Sequence, residues 1–271
     1  MSEESINTIA SPSGDSFWDP GNYKRATKRI EDGYKLSNDL IELVQERADA
    51  ELIYAQNLKS WSKKWSDSIQ EGPEYGTSRA AWKGFTVEAA QISQLHKRIK
   101  SDLINNVISS IHTWQKDNYS KNVIHLKEAK SIDEQFKKAQ KQWEKELAKV
   151  KKAKQDYFKA CKLEKSKEKN PSKSTGNNLP MKIIEGRFAK NNEGVQAARK
   201  NYEKSLQEIK LCIPSYMEDM RKVFDICQHK EAQRLQFFKD VLLNIGKCVS
   251  LVNKDVLMPV YEELTRTIKN A

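Results

Sequence analysis

Proline and glycine are scarce in this 271-residue chain, seven and ten copies respectively, and unevenly spread. Between Pro73 and Pro171 there is no proline, and after Gly76 the only glycine in that interval is Gly84. So long a stretch without chain breakers excludes a fold of short elements and tight turns. It predicts helix over most of the interval, roughly 130 Å at 1.5 Å per residue. No apolar run approaches the ~20 residues of a membrane span, and the opening MSEESINTIASPSGDS is polar and acidic. Neither a transmembrane helix nor a signal peptide is expected. Cysteine is limited to Cys161, Cys212, Cys227 and Cys248, with no CxxC pair. That usage reads as reduced thiols packed as small apolar groups. The histidines, His96, His112, His125 and His229, have no metal-ligand spacing. A glycine-rich phosphate loop, a nucleophile elbow and a close Cys/His pair are missing as well. No catalytic residue, metal or cofactor is therefore assigned, and no enzyme is expected.

What the chain has in quantity is charge, 31% of residues, with Lys and Arg exceeding Asp and Glu by 11. Most of that excess lies in KKAQKQWEKELAKVKKAKQDYFKACKLEKSKEK, residues 137–169, which carry thirteen lysines against five acidic residues. Within it Phe136, Ala139, Trp143, Leu147, Val150, Ala153, Tyr157 and Cys161 recur at steps of three and four, the signature of one buried helical stripe. Lys138, Lys141, Lys145, Lys149, Lys152 and Lys159 each follow a stripe residue by two positions. Two positions are about 200° of helical rotation, so these lysines point away from the core in one row, with Lys151, Lys154 and Lys162 flanking it. An ordinary solvated helix face mixes signs so that i,i+4 pairs form. Glu144, Glu146 and Asp156 fall at other angles, and a row of one sign suits a polyanion. An anionic membrane leaflet offers roughly 1 kcal/mol per lysine held near it. Nucleic acid attracts similarly, but no nucleic-acid-binding motif is present and no aromatic residue interleaves the exposed lysines. Upstream, in YSKNVIHLKEAK, Ile124 is expected to face outward between Lys121 and Lys127, as a small apolar wedge with Val123 beside it.

Organisation follows the punctuation. Residues 1–15 read as a flexible tail and 16–271 as one domain. SFWDPGNYKR is an anchored entry, with Asn22 placed to cap a helix that runs through Leu36, Leu40, Leu43, Ala50, Tyr54, Leu58, Trp61 and Trp65. EGPEYGTS ends it, KNPSKSTGNNLP (169–180) reads as a turn, and a second long helix returns with a kink at Pro214. A break at Pro259 leaves a short terminal helix. One moderate helix and two very long ones predict an all-α, elongated, antiparallel three-helix coiled-coil bundle. So thin a bundle buries little surface alone, so a homodimer is expected, sealed by the Trp and Leu faces of the first two helices.

Several stretches resemble a known family. ERADAELIYAQNLKSW (46–61) resembles the first long helix of F-BAR domains. SFWDPGNYKRATKRIEDGYKL (16–36), GPEYGT (72–77), FKKAQKQW (136–143), YEKSL (202–206) and YMEDMRKVFDICQHKEAQRLQFFKDVLL (216–243) look like the syndapin (pacsin) branch. The resemblance implies a crescent-shaped antiparallel dimer, peripheral at plasma and endosomal membranes from the cytoplasmic side. It implies binding of anionic phospholipids, phosphatidylserine and phosphoinositides among them, and the sensing or generation of membrane curvature in endocytosis and membrane–actin remodelling. Full-length relatives carry an SH3 domain that binds partners such as dynamin. This sequence reaches Ala271 without one, so such partners are not implied for it. By position, Lys137, Lys138, Lys141, Lys145 and Lys154 match basic residues of the family's middle helix. Glu146, Ala148 and Gln155 replace lysines there, whereas Lys149, Lys151 and Lys152 stand where relatives have acidic or small residues. Val123 and Ile124 fall where relatives have a hydrophobic wedge loop, without its usual Gly-Gly pair and about one residue shorter. Two other readings use the same residues: a nucleic-acid-binding helical hairpin and a structural coiled-coil scaffold.

Overall fold

The computed structural model describes residues 16–120, 126–169, 181–252, 255 and 257–271. The elements are helical, as expected: α1 (Lys24–Glu71), α2 (Gly76–Asp102), a π-helical segment (Leu103–Ile108), α3 (Ser109–Asn118), α4 (Lys127–Lys169), α5 (Met181–Val249) and α6 (Leu257–Lys269). The expected single helix from the Gly-Pro turn to Pro171 is divided. After Asn118 the chain turns to extended backbone at Tyr119 (φ −133°, ψ 110°). Two hydrogen bonds then close the chain around the break: Lys127 N–H donates to the Ser120 carbonyl at 2.9 Å, and Ser120 N–H to the Glu128 carboxylate at 3.0 Å. A first-turn glutamate reaching back in this way supplies a helix start that the spacing of apolar residues did not show. Farther on, α5 runs unbroken through Pro214. The break near the C-terminus precedes Pro259, which lies in the first turn of α6, where a missing N–H costs nothing.

The chain forms two compact units. One holds Arg29–Glu128 and His229–Ala271. Its core joins Leu40, Val44 and Ala48 of α1 to Leu95, Ile99, Leu103, Val107 and Ile111, with Val241 and Cys248 of α5. From Leu95 to Ile111 the buried positions advance by fours, which on an α-helix drifts about 40° per step. The π segment, one residue wider per turn, takes up that drift and keeps Val107 and Ile111 inward. Trp114 stacks on Phe237 (centroids 4.6 Å, planes 5° apart). At Gly33 a Cβ would lie 2.8 Å from the Tyr119 hydroxyl and 2.9 Å from Arg234 Cδ, so only glycine admits the buried guanidinium here. Glu231 holds that guanidinium at 2.7 Å and Arg29 at 2.9 Å. Burial pushes the Tyr119 phenol up to about 12. α6 packs along α2, where Leu264 lies over Gly84.

The other unit comprises the chain up to Lys28 together with Ala129–Gln228. Here the entry segment is the wedge between α4 and α5: Phe17 meets Phe136 and Phe224 (centroids 6.1 and 5.0 Å), and Tyr23 stacks on Phe136 at 4.7 Å. Cys227 and Cys248 are buried and Cys161 and Cys212 half-buried, and none of the four is joined in a disulfide.

Candidate functional site

α4 carries its two faces where the periodicity placed them. Ile132, Phe136 and Ala153 are buried, and Ala139, Trp143, Leu147, Val150, Tyr157 and Cys161 are half-buried. Lys138, Lys141, Lys145, Lys149, Lys152 and Lys159 are exposed, as are Lys137, Lys151, Lys154 and Lys162. The buried side also contains two polar residues that the apolar pattern passed over. Gln140 is 1% exposed and sews three segments together. Its amide oxygen accepts from Gly21 N–H at 3.0 Å, and its amide nitrogen reaches the Tyr216 hydroxyl at 3.3 Å and the Asp19 carbonyl at 3.4 Å. Tyr216 donates in turn to the Trp18 carbonyl at 2.6 Å and stacks on Trp143 at 4.8 Å. The second is Glu146, 6% exposed.

Glu146 changes the accounting of the row. Lys149 donates to its Oε1 at 3.1 Å, lies 2.9 Å from Oε2 at an angle that makes no hydrogen bond, and stands 3.6 Å from Glu208 of α5. The Glu146 carboxylate holds the Lys149 ammonium protonated to higher pH than usual, and the pair spends part of that lysine's charge within the fold. Lys137 is likewise bound to Asp133 at 2.6 Å. Burial pushes the Asp133 carboxyl up, yet hydrogen bonds from Lys137 and Tyr23 outweigh it and leave the group below its ordinary range. Lys154 lies over the Phe158 ring at 5.8 Å. Among the described residues, no ion pair engages Lys138, Lys141, Lys145, Lys152 or Lys159. Five cations are left on one exposed side of one helix.

Val123 and Ile124 lie outside the described residues, which resume at Leu126 on one side of the closure by Ser120, Lys127 and Glu128. In the unit containing α6, large apolar side chains stand open to solvent within a single chain. Trp61, Trp65 and Leu43 of α1 are about half exposed, as are Trp82 (56%) and Phe85 of α2. Among the described residues there is no cluster of His, Cys, Asp and Glu able to hold a metal, and no helix is long and apolar enough to cross a membrane.

Comparison with known proteins matches residues 22–98 to the family described as the Fes/CIP4, and EFC/F-BAR homology domain. Protein kinase C and casein kinase substrate in neurons protein 2 of Gallus gallus is 41% identical over 264 residues, covering 96% of this chain and 59% of the relative. Protein 1 of the same name from Danio rerio is 42% identical over 262 residues, covering 95% and 59%. The chain thus spans about three-fifths of the length of these curated relatives. The crystal structure of the EFC/F-BAR domain of Drosophila Syndapin/PACSIN superposes with a TM-score of 0.84 at 50% identity, covering 95% of this chain and 89% of that one.

Proposed function

The chain belongs to the F-BAR family, in its syndapin branch, and on that premise we propose that it is a peripheral membrane-binding module that reads or imposes bilayer curvature. The observation that carries the reading is the run of exposed lysines at 138, 141, 145, 152 and 159 on the side of α4 turned from its core. At roughly 1 kcal/mol per lysine near an anionic leaflet, five amount to about 5 kcal/mol per chain and twice that in a dimer, before the costs of association. Such a sum holds a protein at a surface without insertion, and it falls as salt screens the charges. The ligands are anionic phospholipids, phosphatidylserine and phosphoinositides. Lys137 and Lys149 act chiefly within the fold, while Lys154 flanks the row. Val123 and Ile124 supply an apolar wedge for the lipid interface.

The partner in assembly is a second copy of this chain. Trp61, Trp65, Trp82 and Phe85 are too large and too numerous to be left in water by accident, and their burial in a homodimer gives them a role.

The test uses vesicles containing phosphatidylserine at physiological salt. The Lys141→Glu, Lys145→Glu double variant is expected to stay in the supernatant where the wild type pellets, with an unchanged circular dichroism spectrum. Ile124→Asp is expected to pellet while forming fewer tubules by electron microscopy. Full pelleting of the double variant would remove the row from the mechanism, and wild-type tubulation by Ile124→Asp would remove the wedge.

A further inference from the structure

Among its described residues, α4 buries or half-buries its large apolar side chains with two exceptions: Phe158 is 52% exposed and Leu163 is 54% exposed. Both lie off the stripe that meets α5. Tyr157, a stripe residue, stacks on Tyr202 of α5 at 6.3 Å, and Phe158, the next residue, is turned about 100° from it. Five positions separate Phe158 from Leu163, a net rotation of about 140°. The arc between them faces outward and holds Lys151, Lys162, Lys159 and Lys152 in that angular order, all exposed. Between Lys151 and Ser166 the acidic residues are Asp156 and Glu164. Glu164 is half-buried on the stripe side and Asp156 falls beyond the Leu163 edge, so no carboxylate interrupts the arc in this part of the helix. Lys154 covers Phe158 from the other flank, 5.8 Å from the ring centroid. Two apolar side chains thus bracket four cations, about 30 Å along the axis from Lys138. A single exposed apolar residue on a helix is ordinary. Two of them at one end of α4, at the edges of a face of one charge sign, are the ingredients of a helix that lies against a lipid interface.

We infer that Phe158 and Leu163 are apolar anchors that enter the headgroup boundary of an anionic bilayer on either side of Lys159 and Lys162; the inference rests on the membrane reading above and adds to it a contact that salt does not screen. The bilayer offers each part of the face what it needs. Headgroup phosphates meet the ammonium groups, and the acyl boundary below them takes the ring of Phe158 and the isobutyl group of Leu163. Lysine stems are long and apolar, so the amines stay at phosphate level as the helix settles against the surface. A protein partner fits the face poorly, because it would have to desolvate four ammonium groups together with the two apolar side chains. The two kinds of contact also respond differently to ionic strength. Attraction of exposed cations to the leaflet falls as salt rises, whereas the gain from removing apolar area from water does not depend on screening. Binding is therefore expected to retain a component that the lysines alone would not supply.

The experiment pellets the 271-residue chain with vesicles of phosphatidylserine and phosphatidylcholine over a salt series. Phe158→Ser combined with Leu163→Ser is expected to keep the wild-type circular dichroism spectrum and to lose affinity on the order of tenfold at physiological salt, with the deficit persisting as salt rises. Phe158→Leu, which keeps an apolar group of similar size, is expected to bind within about twofold of wild type. A second measurement reads depth. Phe158→Trp is expected to add a blue-shifted emission when vesicles are present, and to be quenched by phosphatidylcholine brominated on its acyl chains beyond the quenching of the six native tryptophans. Wild-type affinity in the double serine variant, or no added quenching from Phe158→Trp, overturns the anchors and leaves the membrane reading intact. Altered self-association of the double serine variant without lipid, at unchanged pelleting, assigns the face to a protein contact and overturns them as well. Failure of the wild type to pellet strikes the membrane reading and takes the anchors with it.

Discussion

Gln140 occupies a place in the α4 stripe where spacing alone would put a hydrophobic residue, and its amide is spent on Gly21, Asp19 and Tyr216. A buried amide with partners contributes modestly, but its removal strands those partners without water. Gln140→Leu is therefore expected to cost about 2–3 kcal/mol in urea denaturation, although leucine fits the stripe by every pattern rule. A variant as stable as wild type would show that the entry segment needs no such clamp. Glu146 teaches the complementary lesson. Its neighbour at i+3, Lys149, has the spacing of a solvated helical pair, yet the Glu146 carboxylate is buried and Lys149 also stands 3.6 Å from Glu208 of α5. The lysines usable by a ligand are thus fewer than the sequence suggests.

At the scale of elements, the π segment is a local device with a global purpose. It lets a run of four-residue steps from Leu95 to Ile111 stay on one side of a helix. A π segment is one residue inserted into an α-helix. Deleting the exposed Asn105 is expected to restore plain α-helix with the core residues still inward, at a cost within about 1 kcal/mol. Deleting the exposed Asn57 from regular α1 rotates all that follows by about 100° and takes Ser62 and Ile69 out of the core, and a far larger loss is expected. Thermal melts of the two deletions make the comparison, and equal losses would leave the π segment without this role. The break between α3 and α4 belongs to the same scale. It is set by Tyr119 docking against Trp114 and Tyr34, and by Glu128 capping the Ser120 amide, with no proline or glycine in the sequence of the break itself.

At the scale of the whole molecule, the exposed aromatic residues of α1 and α2 and the lysines of α4 call for different partners. A homodimer is expected by sedimentation equilibrium at micromolar concentration. Trp82→Ser combined with Phe85→Ser is expected to shift it to monomer, since burying two such side chains is worth about 4–6 kcal/mol. A wild type that sediments as a monomer would leave those aromatic residues unexplained. Vesicle binding is expected to weaken steeply as salt rises past physiological strength, because the lysines are exposed and the screening length is then below about 8 Å.

The sequence by itself determined the helices, the stripe of α4 and the outward lysines, because a helical period is local: two positions are about 200° wherever they occur. The motifs at 46–61 and 216–243 likewise carry the family likeness in their residues alone. Tertiary structure decided which lysines remain free, why Gln140 is buried, and where the helix after Gly76 must stop. Each of these involves groups more than fifty residues apart in the chain, Lys149 with Glu208, Gln140 with Gly21, Tyr119 with Tyr34, and the pairing of such distant groups is fixed only when the helices pack.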